Sequence, residues 1–139
     1  MFKDFKHSIP IQIRFVDIDR LNHVNNATYL NYMELGRVHY FNSVLKNNID
    51  WIETGLILAR TEIDYKIPVL LKDEIFCYSR VSKFGTKSLV MNSTIVKKEN
   101  GVLVECAAGV FTLVAMNYIT NASIAIPDAW REIITDFEK

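Results

Sequence analysis

From Asn26 to about Lys46 the apolar residues recur at helical spacing, and no comparable stretch follows until Pro127. Leu30, Met33, Arg37 or Val38, Phe41, Val44 and Leu45 form one stripe, with Asn31, Glu34 and Asn42 elsewhere on the surface. Tyr29, Tyr32, His39 and Tyr40 widen that stripe, so much of the helix circumference is expected to be covered. About 20 residues at 1.5 Å rise give roughly 30 Å of helix, which Asn47-Asn48 ends. Gly36 in its middle costs about 1 kcal/mol relative to alanine, an expense that close approach to a neighbouring backbone would offset. A long helix in a chain otherwise made of strands has to be the element the sheet wraps.

The rest reads as that sheet. Ile11, Ile13 and Phe15 alternate with Gln12, Arg14 and Val16, a short strand with one buried face. It should end near Val16 or Asp17, because continuing it would drive an unpaired carboxylate into the core. After a connection containing Trp51 and Gly55, the residues Ala59, Thr61, Ile63, Tyr65, Ile67 and Val69 alternate with Arg60, Glu62, Asp64 and Lys66. That is a long strand with one wet face, and Pro68 marks its end or an edge. Lys72-Asp73-Glu74 turns into a strand from Ile75 to Val81, and Lys83 to Ser88 turns into Leu89 to Val96. Asn100-Gly101 is a hairpin signal, since both central residues of the favoured turn need positive φ. Val102 to Met116 is apolar on both faces, which predicts a central strand covered on both sides. Pro127-Asp128 opens a short helix carrying Trp130, Ile133, Ile134 and Phe137. The order predicts an α+β fold, a five-stranded antiparallel sheet wrapped around one long central helix. One helix covers one face of a sheet, so the other apolar face calls for a second subunit.

Length sets one domain, spanning 1–139, and leaves enough chain for a real core. Half the residues are hydrophobic and the formal charge is zero, which argues against disorder and against an electrostatic nucleic-acid binder. No apolar run approaches the ~20 residues of a membrane span, and the start of the chain lacks a signal peptide's apolar core. A cytoplasmic protein without membrane partners is expected. Cys77 and Cys106 sit inside strand-like runs and are read as small buried residues, not a disulfide or metal pair.

Chemistry concentrates between the first strand and the helix. Asp17, Asp19 and His23 fall within seven residues, and Asn25-Asn26 then supplies a helix N-cap. A carboxylate-bearing loop that opens onto a helix N-terminus faces free N–H groups and a dipole that favour developing negative charge. The plain alternatives are turn residues and dipole partners for the aspartates, a backbone-satisfying histidine, and a Glu34–Arg37 pair on the helix. His7, His23 and His39 lack metal-ligand spacing, and no metal site is expected. No nucleophile elbow, phosphate loop or dinucleotide fingerprint occurs. What remains is a carboxylate acting on water or directly on an electrophile, with helix-terminal N–H groups as the oxyanion site.

Arg14-Phe15-Val16-Asp17-Ile18-Asp19, then His23-Val24-Asn25-Asn26, then Tyr29, Tyr32, Glu34 and Arg37, resembles the signature of hotdog-fold acyl-CoA thioesterases of the 4-hydroxybenzoyl-CoA thioesterase type. The likeness spans nearly the whole chain, including Ala59 to Pro68, Val81 to Ser88 and Ile126-Pro127. It implies that Asp19 is the nucleophile or general base and that the Asn26 backbone N–H polarises the thioester carbonyl. His23 would line or order the loop. Asp17 would fix it, and is grouped with Tyr29 among the residues near substrate. Lys83, Thr86, Lys87 and Ser88, on the turn between the third and fourth strands, would meet the coenzyme A tail at a subunit interface. The resemblance further implies a homodimer or homotetramer acting on acyl-CoA, with coenzyme A as part of the substrate and no separate cofactor. The family's Gly-His-Val-Asn-Asn begins here with Asn22, a residue type that tolerates positive φ. Two other functions fit the same residues: hydrolysis of acyl-carrier-protein thioesters, and non-catalytic acyl-CoA binding.

Overall fold

The computed structural model describes residues 2–139, and its axis is helix α1, Asn26–Leu45. Asn25 caps it, its side-chain oxygen accepting the Ala27 N–H at 2.9 Å. Strands β1 (His7–Ile11), β2 (Thr54–Tyr65), β3 (Ile75–Phe84), β4 (Ser88–Glu99) and β5 (Val102–Asn117) form one antiparallel sheet. Their order is β1-β3-β4-β5-β2, so α1 carries the chain from one edge to the other. A two-residue β6, Ala122–Ser123, adds a sixth strand that the sequence did not signal. Helix α2, Asp128–Glu138, follows Pro127 as expected. Asn100 and Gly101 turn the β4–β5 hairpin at φ 52 and φ 77.

The first strand lies earlier than its alternation suggested. β1 pairs with β3 from His7 to Ile11, and Phe15–Asp17 is a turn of 3-10 helix in place of the expected strand from Ile11 to Val16. The cause is Asp17. It is 2 % exposed, which the argument against an unpaired carboxylate forbids, yet it is not unpaired. Its two oxygens accept from the Arg14 N–H, the Arg14 guanidinium and the Tyr32 hydroxyl at 2.9, 2.9 and 2.6 Å. Folding the backbone into a tight turn lets Arg14 bond Asp17 twice, and Phe15 and Val16 are thereby turned outward.

The sheet-facing side of α1 also differs from the expected stripe. Tyr29, Tyr32, Met33, Gly36, Tyr40, Phe41 and Leu45 are buried, whereas Leu30, Leu35 and Val38 face solvent. Tyrosines prevail because their rings fill the core while their hydroxyls find acceptors: Tyr32 on Asp17, Tyr40 on Glu138. β2 begins at Thr54 and stops at Tyr65, so Gly55 lies inside it and Ile67 to Val69 beyond it. β5 buries one face; Ala108, Val110, Thr112 and Val114 on the other are half-buried instead of covered.

Gly36 sits against β3, and the close approach is to side chains. A Cβ there would lie 2.5 Å from Cys77 Sγ and 3.0 Å from Ser79 Oγ. Gly36→Ala is therefore expected to destabilise by roughly 1–3 kcal/mol through overpacking, despite the better helix propensity of alanine. Thermal unfolding of the variant checks this, and a raised Tm would show that α1 can move off β3. Both cysteines are free and buried.

Candidate active site

The loop between β1 and α1 is a small hairpin. The Asp19 N–H donates to the His23 carbonyl at 2.9 Å, Ile18 bridges Val24, and the Asn25 N–H donates to the Asp17 carbonyl at 2.8 Å. Asn22 stands at the tip with φ 63, the left-handed conformation that asparagine tolerates. The Val24 N–H reaches the Val69 carbonyl at 2.8 Å, which ties the hairpin to the chain after β2.

Asp17 is the anchor. Burial alone would raise its pKa, but the Tyr32 hydroxyl, the Arg14 N–H and the Arg14 guanidinium outweigh burial and hold the carboxyl below its ordinary value. Tyr32 moves the other way, pushed well up by burial and by its bond to the carboxylate. With both oxygens engaged inside the chain, Asp17 braces the loop. Asp19 differs in each respect. It is half-buried, one oxygen accepts the Leu21 N–H at 2.9 Å, and the other has no partner among the described residues.

The Asn26 N–H, at the first helical position, likewise has no acceptor among the described residues. Its carbonyl accepts the Tyr65 hydroxyl at 3.0 Å, which fixes the start of α1 against the end of β2. Beside it a cleft of about 210 Å³ is lined by His23, Val24, Asn26, Tyr29, Tyr65 and the segment Lys66 to Pro68. Tyr29 stands edge-on to Tyr65 at 5.3 Å, and burial raises its pKa. Glu34 and Arg37 do not form the pair that their spacing allows; the guanidinium lies 5.2 Å over the Phe111 ring. His7 and His39, which sequence reasoning set aside, meet at 2.8 Å between β1 and α1. No group of three metal-ligating side chains occurs among the described residues.

The turn residues lie elsewhere. Lys83 is still within β3 and Ser88 already opens β4, leaving Gly85 to Lys87 as the turn proper. It is held by α2, where Arg131 donates to the Gly85 carbonyl at 2.8 Å, and by the Ile126 N–H on the Thr86 carbonyl at 2.9 Å. Lys83, Thr86 and Lys87 are exposed. Ser88 pairs with Val114 of β5, whereas Tyr65, beside Asn26, pairs with Ala107. Seven residues of β5, about 23 Å of strand, thus separate the turn from the aspartate loop within one chain.

An antiparallel sheet curled around one helix, with a carboxylate hairpin set on that helix's N-terminus, is the hotdog architecture of thioester hydrolases. The family model described as the thioesterase-like superfamily matches residues 13–134, and the chain belongs to that family. Among solved structures, a Thermus thermophilus thioesterase in complex with coenzyme A and zinc is 34% identical, with TM-score 0.85 over 98% of this chain and 96% of that one. The long-chain acyl-CoA thioesterase FadM of Escherichia coli is 24% identical over 132 residues, 93% of this chain and 97% of FadM. The chloroplastic acyl-acyl carrier protein thioesterase ATL3 of Arabidopsis thaliana is 27% identical over 96 residues, 68% of this chain and half of that protein.

Proposed function

We propose that this thioester hydrolase acts on acyl-CoA in the cytoplasm, with Asp19 as nucleophile or general base. The observation that carries the reading is the contrast between two aspartates two residues apart: Asp17 is spent on bracing the hairpin, and Asp19 keeps one oxygen unengaged. As general base, that oxygen takes a proton from water while the water oxygen bonds to the thioester carbon. As nucleophile, it forms a mixed anhydride that water then hydrolyses. In both routes the carbonyl oxygen gains charge toward the Asn26 N–H, aided by the α1 dipole. The carbon–sulfur bond breaks without strong assistance, because a thiolate whose conjugate acid has a pKa near ~8.5 is a competent leaving group. His23 and Tyr29 line the cleft. Coenzyme A enters as part of the substrate, and no separate cofactor is invoked.

Lys83, Thr86, Lys87 and Ser88 fit the phosphate-bearing tail as exposed cationic and hydroxyl groups on an anchored turn. Their distance from Asp19 within one chain supports a homodimer or a dimer of such dimers, in which a partner's turn serves this chain's carboxylate. Replacing Lys83 and Lys87 by alanine is expected to raise KM for acyl-CoA several-fold and to leave short pantetheine thioesters nearly unaffected. Equal loss on both substrates would assign the turn to folding instead. Hydrolysis of acyl-carrier-protein thioesters is the other substrate reading, and a parallel assay on both carriers separates the two.

A further inference from the structure

The segment Lys66 to Glu74 joins β2 to β3, belongs to no strand, and supplies one wall of the cleft beside Asn26. We propose that Lys97 of β4 is a positioning residue: its buried ammonium, seated between the Pro68 carbonyl and the Asp73 carboxylate, holds this wall, and through it the Asp19 hairpin, in place. This deepens the Asp19 reading above and rests on it.

Lys97 is an unusual member of the core. By the two-residue alternation of β4 it shares a face with Leu89, Met91 and Ile95, all fully buried, and it is itself 8 % exposed. A lysine packed for its stem alone runs its head out to water, and an ammonium withdrawn from water without partners is costly. Here the head turns inward. Nζ lies 3.5 Å from the Pro68 carbonyl oxygen and 3.7 Å from Asp73 Oδ2, and it has no other acceptor among the described residues. Both partners belong to the wall. Asp73 in turn closes a tight turn, with Oδ2 accepting the Leu70 N–H at 2.8 Å and its own N–H donating to the Leu70 carbonyl at 3.0 Å. Pro68 has no N–H to give, so its carbonyl is the group by which that peptide can be gripped.

Backbone bonds pass the grip on. The next carbonyl, that of Val69, accepts the Val24 N–H at 2.8 Å, and the Tyr29 hydroxyl also meets the Val69 backbone. The His23 carbonyl, one residue from Val24, accepts the Asp19 N–H at 2.9 Å. A continuous path thus runs from Lys97 through Pro68–Val69 and His23–Val24 to Asp19. On the other side of Pro68, the Lys66 and Ile67 N–H groups both donate to the Cys106 carbonyl, at 2.8 and 3.1 Å. The wall is therefore pinned to β5 at its start and continues into β3 at its end. Lys97 supplies the hold between them, where the bond to Val24 is made.

Lys97→Met keeps the length of the stem and removes the charge, and amide hydrogen exchange of the full chain reads the result without any substrate. Exchange at the Val24 and Asp19 amides should accelerate at least about ten-fold, as a local opening does, while amides around Met91 keep wild-type protection. In the acyl-CoA assay, run well below Tm, kcat should fall about ten-fold, less than the ~10²-fold that a displacement of about 1 Å can cost. KM should stay within about two-fold of wild type, since the loss is in positioning and not in uniform binding. Lys97→Arg should recover most of kcat, and Asp73→Asn should reproduce the loss. Lys98→Met, which removes an exposed charge next door, should leave both readouts at wild type. Wild-type exchange at Val24 in Lys97→Met, or a wild-type kcat in that variant of a protein that hydrolyses thioesters, would overturn the proposal even if Tm falls. An Asp19→Asn variant with full activity would overturn the Asp19 reading instead, and faster exchange at Val24 in Lys97→Met would still show the hold.

Discussion

Asp19→Asn is expected to lower kcat by at least about 10²-fold, within the range of a general-base contribution, while the protein still folds and still binds acyl-CoA. The substitution keeps the side chain's size, and Oδ1 can go on accepting the Leu21 N–H that orients it. It removes the charge on the oxygen that has no other engagement. Glu34→Gln is the control, because Glu34 is the exposed carboxylate of α1 and borders a different cleft. Its kcat should stay within a few-fold of wild type. Loss of turnover in Glu34→Gln with activity retained in Asp19→Asn would move the chemistry onto the helix.

Asp17→Asn should do the reverse, costing stability more than chemistry. The carboxylate accepts three hydrogen bonds, one from a guanidinium, in a buried position. Losing the charged acceptor should cost about 2 kcal/mol, in the range for hydrogen bonds to charged groups. The pH dependence follows from the sign of the shift. Asp17 is held below its unfolded value of about 3.9, so its stabilisation is complete above that pH and is lost as the pH falls through the folded value. His7 acts in a higher window. Burial and the charge of His39 lower its pKa to about 4, so as the pH drops below about 6.5 the unfolded chain protonates first and stability declines down to about pH 4. Urea midpoints measured against pH should show both regions in wild type and only the upper one in Asp17→Asn. An Asp17→Asn curve that superimposes on wild type below pH 4 would contradict the anchor role.

Much of the fold was legible where local chemistry and tertiary packing agree. The spacing from Asn26 fixed α1 to within a residue, Asn100-Gly101 marked its hairpin, and Pro127-Asp128 marked α2. The misplacement of the first strand and the turn of α1 share one cause, a polar partner distant in sequence. Alternation from Ile11 to Phe15 looked like a strand, but the Asp17 carboxylate needed Tyr32, fifteen residues on, and Arg14. The same tyrosine helps turn α1 so that Leu30 and Val38 face outward. At the site, the sequence placed a carboxylate hairpin before a capped helix, and asparagine at position 22 does adopt positive φ. Spacing alone did not separate the two aspartates; the family resemblance gave Asp17 the loop-fixing role, and the physical reason, burial with three donors, lies in the fold. Nor did it show that the lysine turn and Asp19 lie at opposite ends of one sheet, since strand register is invisible before β5 is paired on both sides. The placement of the Arg37 guanidinium was hidden for a related reason. An i to i+3 spacing with Glu34 suggested a pair, and stacking on Phe111 took the guanidinium elsewhere.

Release of free thiol from a panel of acyl-CoA thioesters, from short aliphatic through long-chain to aryl, tests the central claim most directly. Wild-type protein should liberate one coenzyme A per thioester consumed on at least one acyl class, and Asp19→Asn should bind that same substrate while releasing at least about 10²-fold less thiol per unit time. Wild-type protein that binds acyl-CoA across the panel and hydrolyses none, or an Asp19→Asn variant that turns over at the wild-type rate, would contradict it.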